Sequence, residues 1–310
     1  MKLDYARLDP ELAAALEQMP LSFSGITREN IQVIREAMAA MRVAVPTEAT
    51  LEQQSVPTAE GEVAVYIYHR KPSAPQPALL WIHGGGYIVG SAEDVRAQAI
   101  AEKLDCTVVS VDYRMAPEHP FPAGPEDCYA TLLWMVEHAQ ALNIDASRLA
   151  IGGASAGAGM AAGVALMNRD RGGPELALQL LLYPMIDNLH DTPSGRYTNH
   201  PVWDQGTSFS AWEMYLDGTP GLDASPYAAA SRAHDLAGLP PAYICVGTED
   251  LFRDEDIEYA RRLIDAGVPC ELAVFPGMYH GGDMFVPQAR ISRRLNTNFL
   301  SALSHGLGLS

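Results

Sequence analysis

The chain is poor in basic residues, and it has no long apolar run. Lys and Arg total 21 against 38 Asp and Glu, which leaves a formal net charge of −17. A field of this sign repels phosphate backbones and anionic lipid surfaces, so we expect no nucleic-acid partner. A membrane-crossing helix needs about 18 successive apolar residues, and the best candidate, residues 159–167, is far shorter. We therefore expect no membrane span.

Cysteine is also scarce, and the first residues lack the pattern of an export signal. The four cysteines stand far apart with no C-x-x-C spacing, so neither a zinc site nor a redox dithiol is indicated. Charged residues interrupt residues 1–20, whereas a secretory signal needs a continuous apolar core. Hydrophobic residues make up 48% and charged residues 19% of the chain, which is typical of a globular protein. We expect a cytoplasmic globular protein.

From residue 78 onward, apolar strand-like runs alternate with helical patterns, which predicts an α/β fold with a mostly parallel sheet flanked by helices. The predicted strands are residues 78–82, 107–113, 149–151, 176–183, 242–246 and 271–275, and the predicted helices are residues 92–104, 126–142, 156–168, 255–266 and 288–303. Residues 51–70 alternate and predict a strand with Val63, Val65 and Ile67 on one side. Ser91 and Asp94 predict a capping box for the first of those helices.

Two segments depart from this alternation. The first fifty residues read as helical and peripheral, because Ile31, Ile34, Met38 and Met41 fall at helical spacing. Residues 188–233 contain several Pro, Gly and aromatic residues and no clear strand. Long insertions in compact domains are usually functional, so this one is predicted to pack with the N-terminal helices over a site. An inert surface excursion is the alternative.

Residues 153–157 form the single G-x-S-x-G of the chain, centred on Ser155. An apolar run precedes it and a helix of small residues follows, as in a nucleophile elbow, where a strained Ser tolerates only small neighbours. A Gly-rich turn would give the same letters by accident, but the strand-turn-helix context favours a nucleophile.

Three glycines follow His83 directly after the predicted strand 78–82. Backbone N–H groups can approach a ligand there without interference from side chains, and such donors stabilise the oxyanion of acyl transfer. Gly85 and Gly86, with the N–H of Ala156, are the predicted donors. A dinucleotide loop is disfavoured, since the glycine spacing misses G-x-G-x-x-G by one residue. His83 is expected to structure the loop.

His280 is the predicted general base, because it lies between glycines in a loop just past the last predicted strand. A neutral Ser hydroxyl needs such an imidazole to accept its proton. The acid should lie between Ser and His in the chain. Asp250, soon after the strand 242–246, is the first choice; Glu249 is its nearest rival, and Asp254 and Asp256 are expected to begin the next helix.

The remaining histidines are expected to be surface or packing residues. They are His69, His119, His138, His190, His200, His234 and His305.

Five motifs together make the chain resemble the bacterial hormone-sensitive-lipase family (family IV) of carboxylesterases over nearly its full length. They are HGGG at 83–86, DYRMAPEHPFPA at 112–123, the elbow at 153–157, YPMID at 183–187 and DLFRDE at 250–255. The resemblance implies an α/β-hydrolase fold with an eight-stranded core, and a serine esterase for short- to medium-chain acyl esters without a cofactor. It assigns the triad Ser155, Asp250 and His280 and the oxyanion donors Gly85, Gly86 and Ala156.

The resemblance also implies a domain layout. Residues 1–50 and 188–233 would form a helical cap, and residues 51–187 and 234–310 the core. Homodimers through an edge strand are a further expectation.

The chain departs from the family pattern at four positions. Ala154 and Ala158 replace Asp and Gly around the elbow, Leu251 replaces Pro after the acid, and Gly282 replaces an aromatic residue after the base. The alternatives are an acyltransferase or amidase with the same triad, or a non-catalytic small-molecule receptor on the same fold.

Overall fold

The computed structural model describes residues 2–16, 25–40, 47–70 and 73–309. Met41 and residues 17–24, which belong to the predicted N-terminal helical region, lie outside the described residues. In that region the structure contains α1 (Pro10–Leu16) and α2 (Ile31–Ala40). The predicted helical spacing is therefore borne out for Ile31, Ile34 and Met38.

The described residues form one sheet of eight strands, in the order β1-β2-β4-β3-β5-β6-β7-β8. The strands are β1 (Thr50–Thr58), β2 (Gly61–His69), β3 (Gln76–Ile82), β4 (Thr107–Val111), β5 (Ile144–Ala154), β6 (Leu178–Leu182), β7 (Ala242–Gly247) and β8 (Cys270–Phe275). Pairing is parallel from β4 through β8 and antiparallel at the β1–β2 and β2–β4 contacts. The predicted α/β class with a mostly parallel sheet is confirmed.

The prediction of a single strand within residues 51–70 is wrong, because this stretch forms the two strands of the hairpin β1–β2. Val63, Val65 and Ile67 share one buried face of β2, as expected. β1 is largely exposed at the sheet edge, so its residues carry no alternating apolar signal.

The strands from β3 onward are connected by α3 (Val95–Lys103), α4 (Ala123–Glu137), α5 (Ala156–Asp170), α6 (Gln205–Leu216) and α7 (Arg253–Asp265), and α8 (Gly282–Phe285) and α9 (Arg290–Gly306) follow β8. The predicted capping box is wrong: Asp94 itself is the N-cap and accepts from the N–H of Arg96, whereas the Ser91 hydroxyl accepts from the N–H of Glu93. In the part of the chain described, no helix has the length and apolarity that a bilayer crossing requires.

The insertion at 188–233 is helical around α6 and contacts the N-terminal segment. Asn199 Oδ1 accepts from the N–H of Leu3 at 2.7 Å, and the Tyr5 hydroxyl donates to the Asn199 carbonyl at 3.0 Å. The N-terminal segment also contacts the loops beyond the last strands, since Arg7 pairs with Glu249 at 2.9 Å.

The predicted site residues all lie beyond the carboxyl ends of five parallel strands. The segments that follow β3, β5, β6, β7 and β8 carry the HGGG loop, Ser155, Tyr183, Asp250 and His280. In open α/β sheets this carboxyl edge is where ligand sites form.

Candidate active site

Ser155 occupies a sharp turn between β5 and α5, with φ 57° and ψ −123°. This conformation is strained for a residue with a side chain. Hydrogen bonds hold it in place: the Ser155 N–H donates to the Leu182 carbonyl at 2.9 Å, and the Ser155 carbonyl accepts from the N–H of Met185 at 3.1 Å. A Cβ on Gly157 would overlap the carbonyl oxygen of Ile82, so only glycine fits there.

His280 connects Ser155 to Asp250. Its Nε2 lies 2.9 Å from the Ser155 Oγ, and its Nδ1 lies 2.9 Å from one Asp250 oxygen and 3.2 Å from the other. Asp250 is fully buried and His280 is 5% exposed. Because Nδ1 faces a carboxylate, it carries the ring proton, which leaves Nε2 free to accept from the Ser hydroxyl.

The glycine loop folds tightly beside Ser155. Gly85 and Gly86 have φ values of 116° and 61°, which favour glycine. A Cβ on Gly86 would overlap the ring of Trp203. The ring of His83 stacks on Tyr113, with centroids 4.3 Å apart, and its Nδ1 lies 2.8 Å from the Gly84 carbonyl. His83 thus contacts the loop and Tyr113.

A cavity of about 480 Å³ opens at Ser155. Its wall contains the glycine loop and His280, and most of the remaining wall is apolar, with Met38, Val89, Met115, Val202, Trp203, Met284 and Phe285. Such a concave apolar site with a few convergent polar groups is typical of small-molecule binding. Among the residues that the structure describes, no group of three or more His, Cys, Asp or Glu is arranged to hold a metal ion.

Known proteins share this architecture over almost the whole chain. The α/β hydrolase fold family model matches residues 79–284. The chain belongs to the hormone-sensitive-lipase-like esterases of the α/β-hydrolase fold. It is 35% identical to esterase LipI of Mycobacterium tuberculosis, over 88% of this chain and 87% of that protein. It is 34% identical to carboxylesterase NlhH of the same organism, over 97% and 96% of the two chains.

A solved bacterial heroin esterase superposes on the chain with a TM-score of 0.89. The two chains are 40% identical, and the match covers 98% of this chain and 99% of that one. The chain is therefore a carboxylic-ester hydrolase, in agreement with the names of its relatives.

The rival acids of the esterase have other environments. Glu249 pairs with Arg7, and Asp254 pairs with Arg253 at 2.7 Å and accepts from the N–H of Ser194 at 2.8 Å. Asp256 is buried in the first turn of α7, and burial, with the nearby Glu255 and Asp250 carboxylates, raises its pKa well above the usual range. The structure thus brings Asp250 against His280 and gives Glu249 and Asp254 other partners.

His200 is a residue of the esterase site that sequence reasoning missed. Its Nδ1 accepts from the N–H groups of Val202 at 3.3 Å and Trp203 at 3.2 Å. The opposite nitrogen lies 3.3 Å from the backbone N of His280, and the ring also hydrogen-bonds to the backbone of Glu249. Burial lowers the pKa of His200 to about 4, so the ring is neutral. One imidazole therefore joins the insertion to both the acid loop and the base loop.

A second buried polar pair supports the segment after β6. Glu255 accepts from the N–H groups of Ile186 at 2.9 Å and Asp187 at 3.0 Å. His190 lies 3.7 Å from this carboxylate and 2.6 Å from the Ser208 hydroxyl. Burial lowers the pKa of His190 to about 4. No local sequence pattern signals the contact of His190 with Glu255 or of His200 with His280, because these partners are distant in the chain.

Proposed function

We propose that the esterase works through an acyl-enzyme on Ser155, with His280 as base and Asp250 as the orienting acid. The supporting observation is the continuous chain of short contacts from the Ser155 Oγ through both nitrogens of His280 to the buried Asp250 carboxylate. Ser155 Oγ attacks the ester carbonyl as its proton moves to Nε2. The same proton is then given to the departing alcohol as its C–O bond breaks, and water repeats the sequence to release the acid.

The N–H groups of Gly85, Gly86 and Ala156 are the proposed oxyanion donors. Ala156 is the first residue of α5, and the first N–H groups of a helix have no intrahelical acceptor. Each well-placed donor stabilises the developing negative charge by about 3 kcal/mol. Asp250 does not take up the proton; it stabilises the imidazolium that forms on His280.

The proposed substrates are esters with short to medium acyl chains. The cavity volume of about 480 Å³ lies at the small end of ligand pockets. Trp203 lies directly against Gly86, where it restricts the space beside the reacting carbonyl.

A cap formed by residues 1–50 and 188–233 is proposed to cover this cavity, on a core of residues 51–187 and 234–310. Its support is the contact between Leu3 and Asn199 and the presence of Met38 and Trp203 together in the cavity wall.

We further propose that two copies associate through β8, which pairs with β7 alone at the end of the sheet. An unpaired strand edge readily adds another strand. Light scattering behind size exclusion should give twice the chain mass of 33.5 kDa; a mass of one chain at micromolar concentration would refute the association.

Hydrolysis of p-nitrophenyl esters from acetate to palmitate tests the function. We expect the highest kcat/KM among the shorter chains for wild type, complete loss in Ser155→Ala, and wild-type rates in the matched control Ser301→Ala, whose side chain is exposed on α9. Activity that survives in Ser155→Ala would refute the nucleophile. A folded but inactive wild type would favour the non-catalytic receptor.

A further inference from the structure

A buried ion pair lies behind the base loop and takes no part in the proposed chemistry. Arg96, the second residue of α3, donates to the Asp283 carboxylate of α8 at 2.6 Å. The two side chains are only 8% and 1% exposed. Burial opposes the charge on Arg96, yet the Asp283 carboxylate together with weaker contributions from neighbouring groups raises the pKa of Arg96 above its usual value. Such a pair is costly to desolvate unless further hydrogen bonds complete it.

Tyr183 supplies the additional hydrogen bond and connects the pair to His280. Its hydroxyl donates to the second Asp283 oxygen at 3.1 Å, and the Arg96 guanidinium lies 5.7 Å above its ring. The same ring makes an edge contact with the imidazole of His280, with centroids 4.9 Å apart and planes at 75°. Aromatic pairs prefer this arrangement. The ion pair, the phenol and the imidazole are therefore contiguous.

The base loop turns at a glycine directly after His280. Gly281 has φ 67°, and the aromatic residue that the family resemblance leads one to expect at position 282 is absent. A Cβ on Gly282 would lie 3.2 Å from the Leu12 side chain, so a larger residue there would press on α1. Asp283 lies three residues after His280, and its hydrogen bond with Arg96 connects the base loop to α3, 187 positions earlier in the chain.

We propose that Arg96, Asp283 and Tyr183 are positioning residues that fix the imidazole of His280 between Asp250 and Ser155. This inference rests on the proposed roles of Ser155 and His280. Arg96 and Tyr183 also line the cavity, but the proposed role is indirect: the ion pair immobilises the Tyr183 hydroxyl, and the Tyr183 ring restricts the tilt of the imidazole. A misplacement of about 1 Å at a reacting group costs up to about a hundredfold in rate.

Asp283→Asn and Tyr183→Phe test the proposal with the smallest change in shape. We expect kcat on p-nitrophenyl butyrate to fall about ten- to a hundredfold in Asp283→Asn and less in Tyr183→Phe, with KM within about twofold of wild type. Asp127→Asn is the matched control, because Asp127 is an equally buried carboxylate that pairs with Arg114 at 2.8 Å. It should lower the urea midpoint without lowering kcat.

The double variant Arg96→Met/Asp283→Leu separates positioning from plain stability. It removes both buried charges and so should restore the urea midpoint that Arg96→Met alone lowers. We expect kcat to stay low in the double variant, and to recover in part in Arg96→Lys, which keeps a charge near Asp283. A kcat that recovers together with the urea midpoint, or a KM that rises in place of the fall in kcat, would overturn the proposal.

Ser155→Ala, measured alongside, keeps the two hypotheses distinct. Residual hydrolysis in that variant contradicts the proposed function itself, whereas full loss there with normal kcat in Asp283→Asn contradicts only the positioning role.

Discussion

The two sides of the site are held in different ways. On the nucleophile side, backbone packs against backbone: Ser155 is fixed by hydrogen bonds to main-chain groups, and Gly157 lies against the Ile82 carbonyl. On the base side, His280 is surrounded by side chains from other segments, with Asp250 at Nδ1 and the rings of Tyr183 and Phe252 each 4.9 Å from the imidazole.

This difference has a physical consequence. Main-chain packing leaves no room for an added methyl group, so the nucleophile side should fail as a unit. Side-chain contacts can be removed one at a time, so the base side should lose activity in steps. The predictions below test that contrast, beginning with the largest effect.

The largest effect is expected for Asp250→Asn. The amide can no longer favour the ring tautomer with the proton on Nδ1, so kcat should fall by about 10³- to 10⁴-fold without unfolding. Steady-state kinetics measure kcat, and circular dichroism checks that the protein is folded. Glu249→Gln is the control: its side chain pairs with Arg7, and kcat should change by less than about threefold. An equal loss in both variants would contradict the choice of Asp250.

Gly157→Ala should break the nucleophile side as a whole. The added Cβ overlaps the Ile82 carbonyl, a backbone atom that cannot rotate away, and the expected loss in the free energy of unfolding is about 3 kcal/mol. Urea unfolding measures the loss. Gly206→Ala is the matched control, since its Cβ would meet nothing closer than 3.7 Å. A Gly157→Ala protein with wild-type stability would contradict the account of the elbow.

His200→Gln should change the pH dependence of stability. Burial lowers the pKa of His200 to about 4 in the folded state, against about 6.5 in the unfolded chain. The unfolded state therefore binds more protons between these two pH values. In wild type this group lowers the free energy of unfolding by up to about 3 kcal/mol as the pH falls from about 6.5 to 4.

The comparison is urea unfolding at pH 7.5, 6 and 5. The slope with pH should be shallower in His200→Gln and unchanged in His305→Gln, whose side chain is exposed. An unchanged slope in His200→Gln would show that His200 is not buried and neutral.

The smallest effect is expected for Trp203→Leu, which widens the cavity beside Gly86. The ratio of kcat/KM for octanoate to that for acetate should rise by about tenfold. Trp134→Phe is the control, since Trp134 lies in α4 and outside the cavity wall. A ratio that does not move would exclude Trp203 from the acyl site.

The contrast between the two sides also explains what the sequence could predict. The small residues around Ser155 and the glycines after His83 are local requirements of local geometry, so short motifs reveal them. The interaction of His200 with His280 joins residues 80 positions apart, and that of Arg96 with Asp283 joins residues 187 positions apart. No short sequence pattern encodes either interaction. Hairpin β1–β2 was missed for a different reason: an exposed edge strand needs no alternating apolar residues.

Reaction with a p-nitrophenyl alkylphosphonate, followed by peptide mass spectrometry, tests the central claim most directly. The phosphonate mimics the tetrahedral intermediate and remains bound to the attacking oxygen. One adduct per chain on the peptide that contains Ser155, formed in step with the loss of esterase activity and absent in His280→Ala, is the predicted result. An adduct on another residue, or continued hydrolysis by fully labelled protein, would contradict the account.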